Sequence, residues 1–467
     1  MLRIKLRDSK PNGTVTRREV LRMMSVGALA PGILPGHVEV PTRSHPSRFG
    51  HAKAVVFVTL YGGPPQTETF DMKPEGPEEA RGPFRPVSSR VEGISICERL
   101  PELAKLSHLY TLVRSFSHED TAHASGLYAH LTGWPHPRIN MNSPATPFDH
   151  PHYGSVVGYL RQPGEVVPPC VIVGGRILPQ FRGIGQTGGY LGEPHTPYVV
   201  PQGETYINHY GTKLFSGVSP ELNLPDEIGE IRLSRRHRLL EQLDARDRAI
   251  HDYGQTTDFS TLQQSAITMV GASRLKQALD INQESYATRD LYGRYWLGQN
   301  LLLSRRLLEA GVPVIQVSDI PERGEQHWDL HYPNIFDQLK DKLLPRLDQS
   351  LAAFLTDLHE NGLLDQTLVI AGGEFGRTPW MDKIDGGRQH WPRCYSMLLA
   401  GGGIQPGRVY GGSDKMAAWP THDMVKPWDL GATIYHLLGI NPFSEVFDER
   451  QQRIRRISAG SVIEGLL

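Results

Sequence analysis

The stretch from Val314 to Trp391 constrains the fold most, because strand, helix and strand signals follow one another in a single run. It opens with Val314-Ile315-Gln316-Val317, a short β-branched run that reads as a buried strand. His327-Trp328-Asp329-Leu330-His331 comes next. A helical pattern follows, with Ile335, Leu339, Leu343, Leu347, Leu351, Phe354, Leu355 and Leu358 on one face. Pro345 lies inside it and predicts a kink or a split. Asn361-Gly362 is a good stop signal. Thr367-Leu368-Val369-Ile370-Ala371 is the next strand, and it runs into Gly372-Gly373-Glu374-Phe375-Gly376-Arg377-Thr378-Pro379. A loop then carries Gly387-Arg388-Gln389-His390-Trp391. Such a βαβ unit predicts two parallel, adjacent strands. In open α/β sheets ligands bind beyond the carboxyl ends of the strands. Asp329, His331, Glu374, Arg377 and His390 all follow strand ends.

Those residue types suit a metal. Imidazole with carboxylate favours zinc, manganese or iron over an ion that prefers oxygen alone. The plain alternative is that Asp329 and His331 are ordinary loop residues and Glu374 caps a turn. A lone histidine would favour that alternative; two histidines and two acids on consecutive strand ends favour the metal.

The chain has 467 residues, a formal net charge of −1 and 21% charged residues, which fits one large α/β domain or two. The near-neutral balance gives no sign of a nucleic-acid partner. Cys97, Cys170 and Cys394 are too far apart for a metal finger or a redox pair. Residues 1–50 read as a targeting segment and linker, and 51–467 as the folded domain. Thr16-Arg17-Arg18-Glu19-Val20-Leu21-Arg22 places a twin-arginine pair before a short apolar run, Met23 to Leu34. That pattern predicts export of the folded protein by the twin-arginine machinery, to the periplasm or cell envelope. The run is too short to span a bilayer, and no clean cleavage site follows, so the segment can stay on as an anchor. No other stretch is long and apolar enough to cross a membrane.

Ala54-Val55-Val56-Phe57-Val58-Thr59-Leu60 is continuously apolar, as a parallel strand covered on both faces must be. It ends in Tyr61-Gly62-Gly63-Pro64-Pro65, where backbone can approach a ligand closely, and Gln66, Glu68 and Asp71 follow. Pro101 to Leu106 reads as a short helix and Tyr110 to Ser115 as the second strand. A polar cluster comes next: Ser117, His118, Glu119, Asp120, Thr121 and His123. Ala124 to Leu131 continues as a helix closed by Thr132-Gly133. His123 sits near that helix N-terminus, where free N–H groups favour anions, so it can face an anionic substrate or a metal; capping is the plain alternative. Val166 to Gly174 is a further strand candidate, Asp226 to His251 a charged helix with a solvated face, and Leu275 to Gly311 more helix.

Taken together, these segments resemble the bacterial DUF1501 family, part of the alkaline phosphatase/sulfatase-like superfamily. The resemblance rests on Tyr61-Gly62-Gly63, Thr69-Phe70-Asp71, Arg114-Ser115, the His123 to Gly133 helix, Leu307 to Val312, and Trp328-Asp329-Leu330-His331. It also rests on Gly373-Glu374-Phe375-Gly376-Arg377-Thr378-Pro379, Gly387-Arg388-Gln389-His390-Trp391, Leu399 to Gly403 and Leu437-Leu438-Gly439. It implies an alkaline-phosphatase-like α/β three-layer sandwich, a central, mostly parallel sheet with helices on both faces. It also implies metal-assisted hydrolysis of phosphate or sulfate esters. Asp329, His331 and His390 resemble the ligands of one superfamily metal site. Glu374 stands where the superfamily has Asp-His, with Phe375 in place of the histidine. His123, ten residues before Gly133, falls at the nucleophile position of sulfatases, and Leu127 replaces their arginine. Tyr61 and Gly62 replace the acidic pair after strand one. The implied metal set is therefore Asp329, His331, Glu374 and His390 around one divalent transition ion, zinc or manganese favoured, without a second.

Two functional readings result. In the first, the protein is an exported metal-dependent hydrolase of an anionic small-molecule or glycan ester. Arg377 grips the anion in bidentate fashion, or forms an ion pair with Glu374. His123 is nucleophile, base or ligand; Ser117, Thr121, Ser125 or a metal-activated water are the other candidate nucleophiles. Gly62, Gly63 and Arg388 are expected to contact the substrate. In the second, the protein is a non-catalytic descendant of the fold that binds an anionic glycan or an envelope partner.

Overall fold

The computed structural model describes residues 48–161, 167–200, 205–207, 213–215, 273–320, 327–331, 335–382 and 387–467. The twin-arginine segment and the charged stretch from Asp226 to His251 lie outside the described residues.

The main sheet has eight strands: β1 Ala54–Leu60, β2 Tyr110–Phe116, β3 Cys170–Val173, β4 Tyr198–Val199, β5 Val314–Asp319, β6 Thr367–Gly372, β7 Tyr395–Ala400 and β8 Arg408–Tyr410, in the order β8-β2-β7-β6-β1-β5-β3-β4. β7 is antiparallel to both its neighbours, and every other pairing is parallel, so only β7 is reversed. β5 and β6 are parallel, but they are not adjacent. β1 lies between them, Val55 facing Val314 on one side and Leu368 on the other. The expectation of adjacency is corrected here: the long connecting helix carries the chain across one strand rather than to the next position.

The continuous apolar character of β1 is explained by its two covers. Val56, Val58 and Leu60 join one core cluster; Val55 and Phe57 join another on the opposite face. α1 His123–Thr132, α2 Tyr153–Arg161 and α5 Pro427–Leu437 belong to one side, where His130 of α1 meets Phe57 edge-on at 6.3 Å and Val156 and Ile434 enter the second cluster. α3 Trp296–Glu309 and α4 Leu344–Glu360 cover the other side with Leu301, Leu351 and Phe354. Each such side chain contributes roughly 1.5–3 kcal/mol on full burial, so the layers are held by area rather than by any single contact. The protein is thus an α/β three-layer sandwich around a mostly parallel sheet.

The helical pattern after His331 is split as Pro345 predicts. A π turn at Leu339–Leu343 precedes α4, and Pro345 falls in the first turn of α4, where its missing N–H is least costly. The helical stretch from Leu275 is likewise broken, into Ser273–Leu279, Tyr286–Tyr292 and α3. Among the described residues no helix is long and apolar enough to cross a membrane.

Candidate metal centre

Three loops beyond the carboxyl ends of β1, β5 and β6 meet α1 at one place. The β1 loop turns at Gly62, whose φ of 114° is left-handed and whose absent Cβ makes room for the backbone of Asp329. Only glycine allows this approach. Phe375 packs its ring 5.1 Å from His123 and 4.5 Å from His390. It forms an apolar wall beside both imidazoles. A two-residue ribbon, Gly376–Arg377 paired antiparallel with His390–Trp391, brings Arg377 opposite His390.

Asp329 is the hub. Its Oδ1 lies 2.7 Å from His331 Nε2, 3.0 Å from His390 Nε2 and 2.6 Å from Arg377 Nη2. Its Oδ2 lies 3.1 Å from His123 Nε2. The Nε2 atoms of His331 and His390 are 3.1 Å apart. Each imidazole is tied down from behind. His123 Nδ1 donates to Glu374 Oε1 at 2.6 Å, His331 Nδ1 to Gln389 Oε1 at 2.8 Å, and His390 Nδ1 to the Thr121 carbonyl at 2.6 Å. These acceptors hold the Nδ1 side of each ring and turn each Nε2 toward the hub. This is how proteins prepare histidines as ligands.

Burial alone would push the His123 pKa down, but its hydrogen bonds to Asp329 and Glu374, together with their charges, lift it to about 9. Burial would raise Asp329, yet the three imidazoles and Arg377 hold its carboxyl far below the usual range. Burial lowers His390, with Arg377 and His123 adding to the effect against Asp329, which keeps its ring neutral. Tyr61, 5.1 Å from the His123 ring, is pushed well up, first by burial and then by Glu374 and Asp329.

These residues fit a metal ion. Ligand atoms of His123, Asp329 and His390 all lie within 4.8 Å of one another. Around a zinc with bonds of about 2.0–2.1 Å, ligand atoms stand roughly 3.3 Å apart. The buried His123 Nε2 points the same way: it lies 3.1 Å from Asp329 Oδ2 and, among the described residues, meets no other hydrogen-bond partner. His331 is a fourth candidate ligand, although its Nε2 also meets Arg377 Nη1 at 3.3 Å.

The other residues singled out in the sequence take different places. Glu374 is fully buried behind His123, where it also accepts from Gly62 N–H at 3.1 Å, so it supports a ligand rather than converging on the hub. Arg377 is fully buried and donates from Nε to the Gly63 carbonyl, from Nη1 to the Arg388 carbonyl, and from Nη2 to Asp329 and the Gly62 carbonyl. With the His331 contact, all five N–H groups are engaged within the protein. The expected bidentate grip on substrate is absent for that reason, and so is a direct pair with Glu374. Arg377 instead orients Asp329. Gly62 and Gly63 serve the protein too, through the carbonyls that Arg377 holds. Arg388 is also fully buried, with Nη2 on Glu68 Oε1 at 2.6 Å and Nη1 on the Thr378 carbonyl at 2.8 Å. It braces the ribbon instead of facing a substrate. The Thr121 hydroxyl donates to Asn140 Oδ1 at 3.0 Å, away from the hub; only its carbonyl reaches His390.

Sequence reading named Gln389 and Gln66 without giving either a role. Gln389 sits inside the Gly-Arg-x-His-Trp motif, one residue from a ligand, which was the available signal. Gln66 accepts from the Arg377 backbone N–H at 3.0 Å and donates to its carbonyl at 2.8 Å, bridging 311 positions, and nothing local betrays that.

Comparison with known proteins gives three results. No curated protein sequence matches the chain. Among solved structures it is similar to a lipoteichoic acid synthase from Listeria monocytogenes, at 11% identity over 85% of this chain and 75% of that one, with a TM-score of 0.40. It is also similar to a sulfatase from Pseudoalteromonas sp., at 11% identity over 83% and 68% with a TM-score of 0.34. A member of the alkaline phosphatase superfamily from Vibrio parahaemolyticus shares 11% identity over 92% and 76%, with a TM-score of 0.35. Finally, residues 52–467 match the family described as protein of unknown function DUF1501, and with nearly the whole folded part covered the chain belongs to that family.

Proposed function

We propose that the protein is a metal-dependent hydrolase of phosphate or sulfate esters. One observation carries this reading: three histidines turn their Nε2 atoms to one carboxylate, each ring held from behind by an oxygen acceptor. A divalent ion bound there would supply Lewis acidity toward an ester oxygen and acidify a water. His123, Asp329 and His390 would hold it, with His331 as a fourth ligand. Glu374 keeps His123 in the right tautomer. Arg377 fixes Asp329 against rotation. The Asp329 side chain is 36% exposed whereas Glu374 and Arg377 are fully buried, so the hub opens to solvent on the side of Asp329. An ester can enter there. The test is a screen of aryl phosphates and aryl sulfates on the pure protein, with and without a chelator. Turnover that the chelator abolishes and zinc or manganese restores supports the reading; chelator-insensitive turnover contradicts it.

The second reading, a non-catalytic binder of an anionic glycan or an envelope partner, draws on a different observation. Among the described residues no hydroxyl or thiol side chain is hydrogen-bonded to the hub. Thr121 is turned to Asn140, and Ser125 Oγ points back to the Ala122 carbonyl at 3.4 Å. A pure protein that holds metal but turns over no ester would favour it. Export by the twin-arginine route to the periplasm or cell envelope belongs to both readings and rests on Arg17-Arg18. Replacing both with Lys should trap the protein in the cytoplasm, and unchanged export would overturn that part.

A further inference from the structure

Three of the seven tryptophans stand together at the surface, Trp391 on the ribbon that carries His390 and Arg377 and Trp380 and Trp419 packed around it. Trp380 and Trp391 meet edge-on at 4.9 Å, and Trp391 and Trp419 meet edge-on at 5.8 Å. Trp380 is 38% and Trp419 52% exposed. Clustered exposed indoles are uncommon on a soluble surface without a role, since each leaves a large apolar face in water. They are also fixed in place: Trp391 Nε1 donates to the Ala418 carbonyl at 2.8 Å, which anchors the middle ring.

The cluster is joined to the hub at both ends. Trp380 follows Arg377 by three residues, and Trp391 follows His390 directly. On the far side Arg393 lies over Trp419 at 6.0 Å and reaches Glu119 Oε1 at 3.2 Å. Glu119 is two residues from Thr121, whose carbonyl holds His390. Trp391 is thus one residue from a hub histidine, and Arg393 beside Trp419 links back through Glu119 to the segment that holds His390.

We propose that Trp380, Trp391 and Trp419 form a platform for the sugar ring of a glycan that carries an anionic ester. This rests on the hydrolase reading and names its substrate class. The C–H face of a pyranose is apolar and slightly positive, and it matches the negative face of an indole. Edge-to-face packing gives the three rings a stepped surface that suits successive sugar units better than the flat contact of a second protein. Arg393, which also pairs with Glu119, and the nearby Lys426 complement a negatively charged chain.

The test measures binding, so it does not depend on turnover. Chondroitin sulfate hexasaccharide and a phosphorylated mannose oligosaccharide are titrated against the full chain by calorimetry, with inorganic sulfate, inorganic phosphate and anionic lipid vesicles as controls. The same titrations are run on Trp380→Ala and Trp419→Ala, together with melting temperature, zinc content and mass by light scattering. The expected result is binding of at least one oligosaccharide, weakened tenfold or more in each variant, with zinc content and melting unchanged. Equal affinity in the wild type and both variants overturns the platform. So does an absence of oligosaccharide binding in a zinc-loaded wild type, which would leave the metal reading standing. Vesicle binding, or a dimer that either variant dissociates, assigns the patch to a different occupant and overturns the proposal as well.

Discussion

Glu374 Oε1 lies 2.6 Å from His123 Nδ1, and the same carboxylate accepts the Gly62 backbone N–H at 3.1 Å. One buried acid thus joins the first β-strand loop, the third ligand histidine and the end of β6. It sets the ring angle of His123, whose Nε2 lies 3.1 Å from Asp329 Oδ2.

Glu374→Gln is expected to keep the acceptor oxygen but lose the charge that holds the Nδ1 proton. Changes to groups behind a ligand histidine typically cost about 10–100-fold in metal affinity. Competition with a chromophoric chelator measures this. Wild-type affinity in the variant would remove Glu374 from any supporting role.

Arg388→Ala is expected to destabilise the fold without touching a ligand. It leaves the fully buried Glu68 carboxylate without its cation, and breaking such a pair costs roughly 3–5 kcal/mol. The double change Glu68→Gln with Arg388→Met should recover most of that loss, because neither charge remains. Urea unfolding of the two variants decides. A near-silent Arg388→Ala would return Arg388 to the surface and to a substrate role.

Acid is expected to weaken the fold well before carboxylates titrate. Burial pushes His130 to about 4, His150 to about 3 and His152 to about 3, against an ordinary value of 6.5. The unfolded chain binds these protons and the folded chain does not. Their stabilisation is therefore complete above pH 6.5 and falls as pH drops from there toward 4 and then 3. Each is worth at most on the order of 3–5 kcal/mol. Melting temperatures at neutral pH and at about pH 5 read the slope. His130→Gln should flatten it, and an unchanged slope would show that the imidazole is not buried.

How far the sequence spoke for the fold depended on how local each signal was. β1 was legible because a strand covered on both faces has no polar side to hide, and it spans Ala54–Leu60 as read. The α1 helix was legible through its end, where Gly133 takes the left-handed φ of 70° that stops a helix. The strand order was not legible, because a crossover helix can skip a position without leaving a trace in the chain. For site residues the divide is the same. The spacing of Asp329, His331 and His390 beyond strand ends pointed to a common place, and the structure brings them together. Whether a side chain faces inward or outward at that place was hidden. Arg377 and Arg388 look alike as cations in loops of glycine and histidine, yet both are buried and bonded inside the protein to carbonyls and acids, several of them far away in sequence. Phe375 shows the converse: reading it as a missing ligand left unseen the wall it makes against His123 and His390.

The most direct measurement is the metal content of the purified full chain, by mass spectrometry of the elements, in the wild type and in the double change His123→Ala with His390→Ala. Close to one zinc or manganese per chain is expected in the wild type, with the double variant nearly empty and still folded by circular dichroism. A wild type that takes up no divalent ion from a zinc- or manganese-buffered solution, or a double variant that keeps full occupancy, would contradict the centre described above.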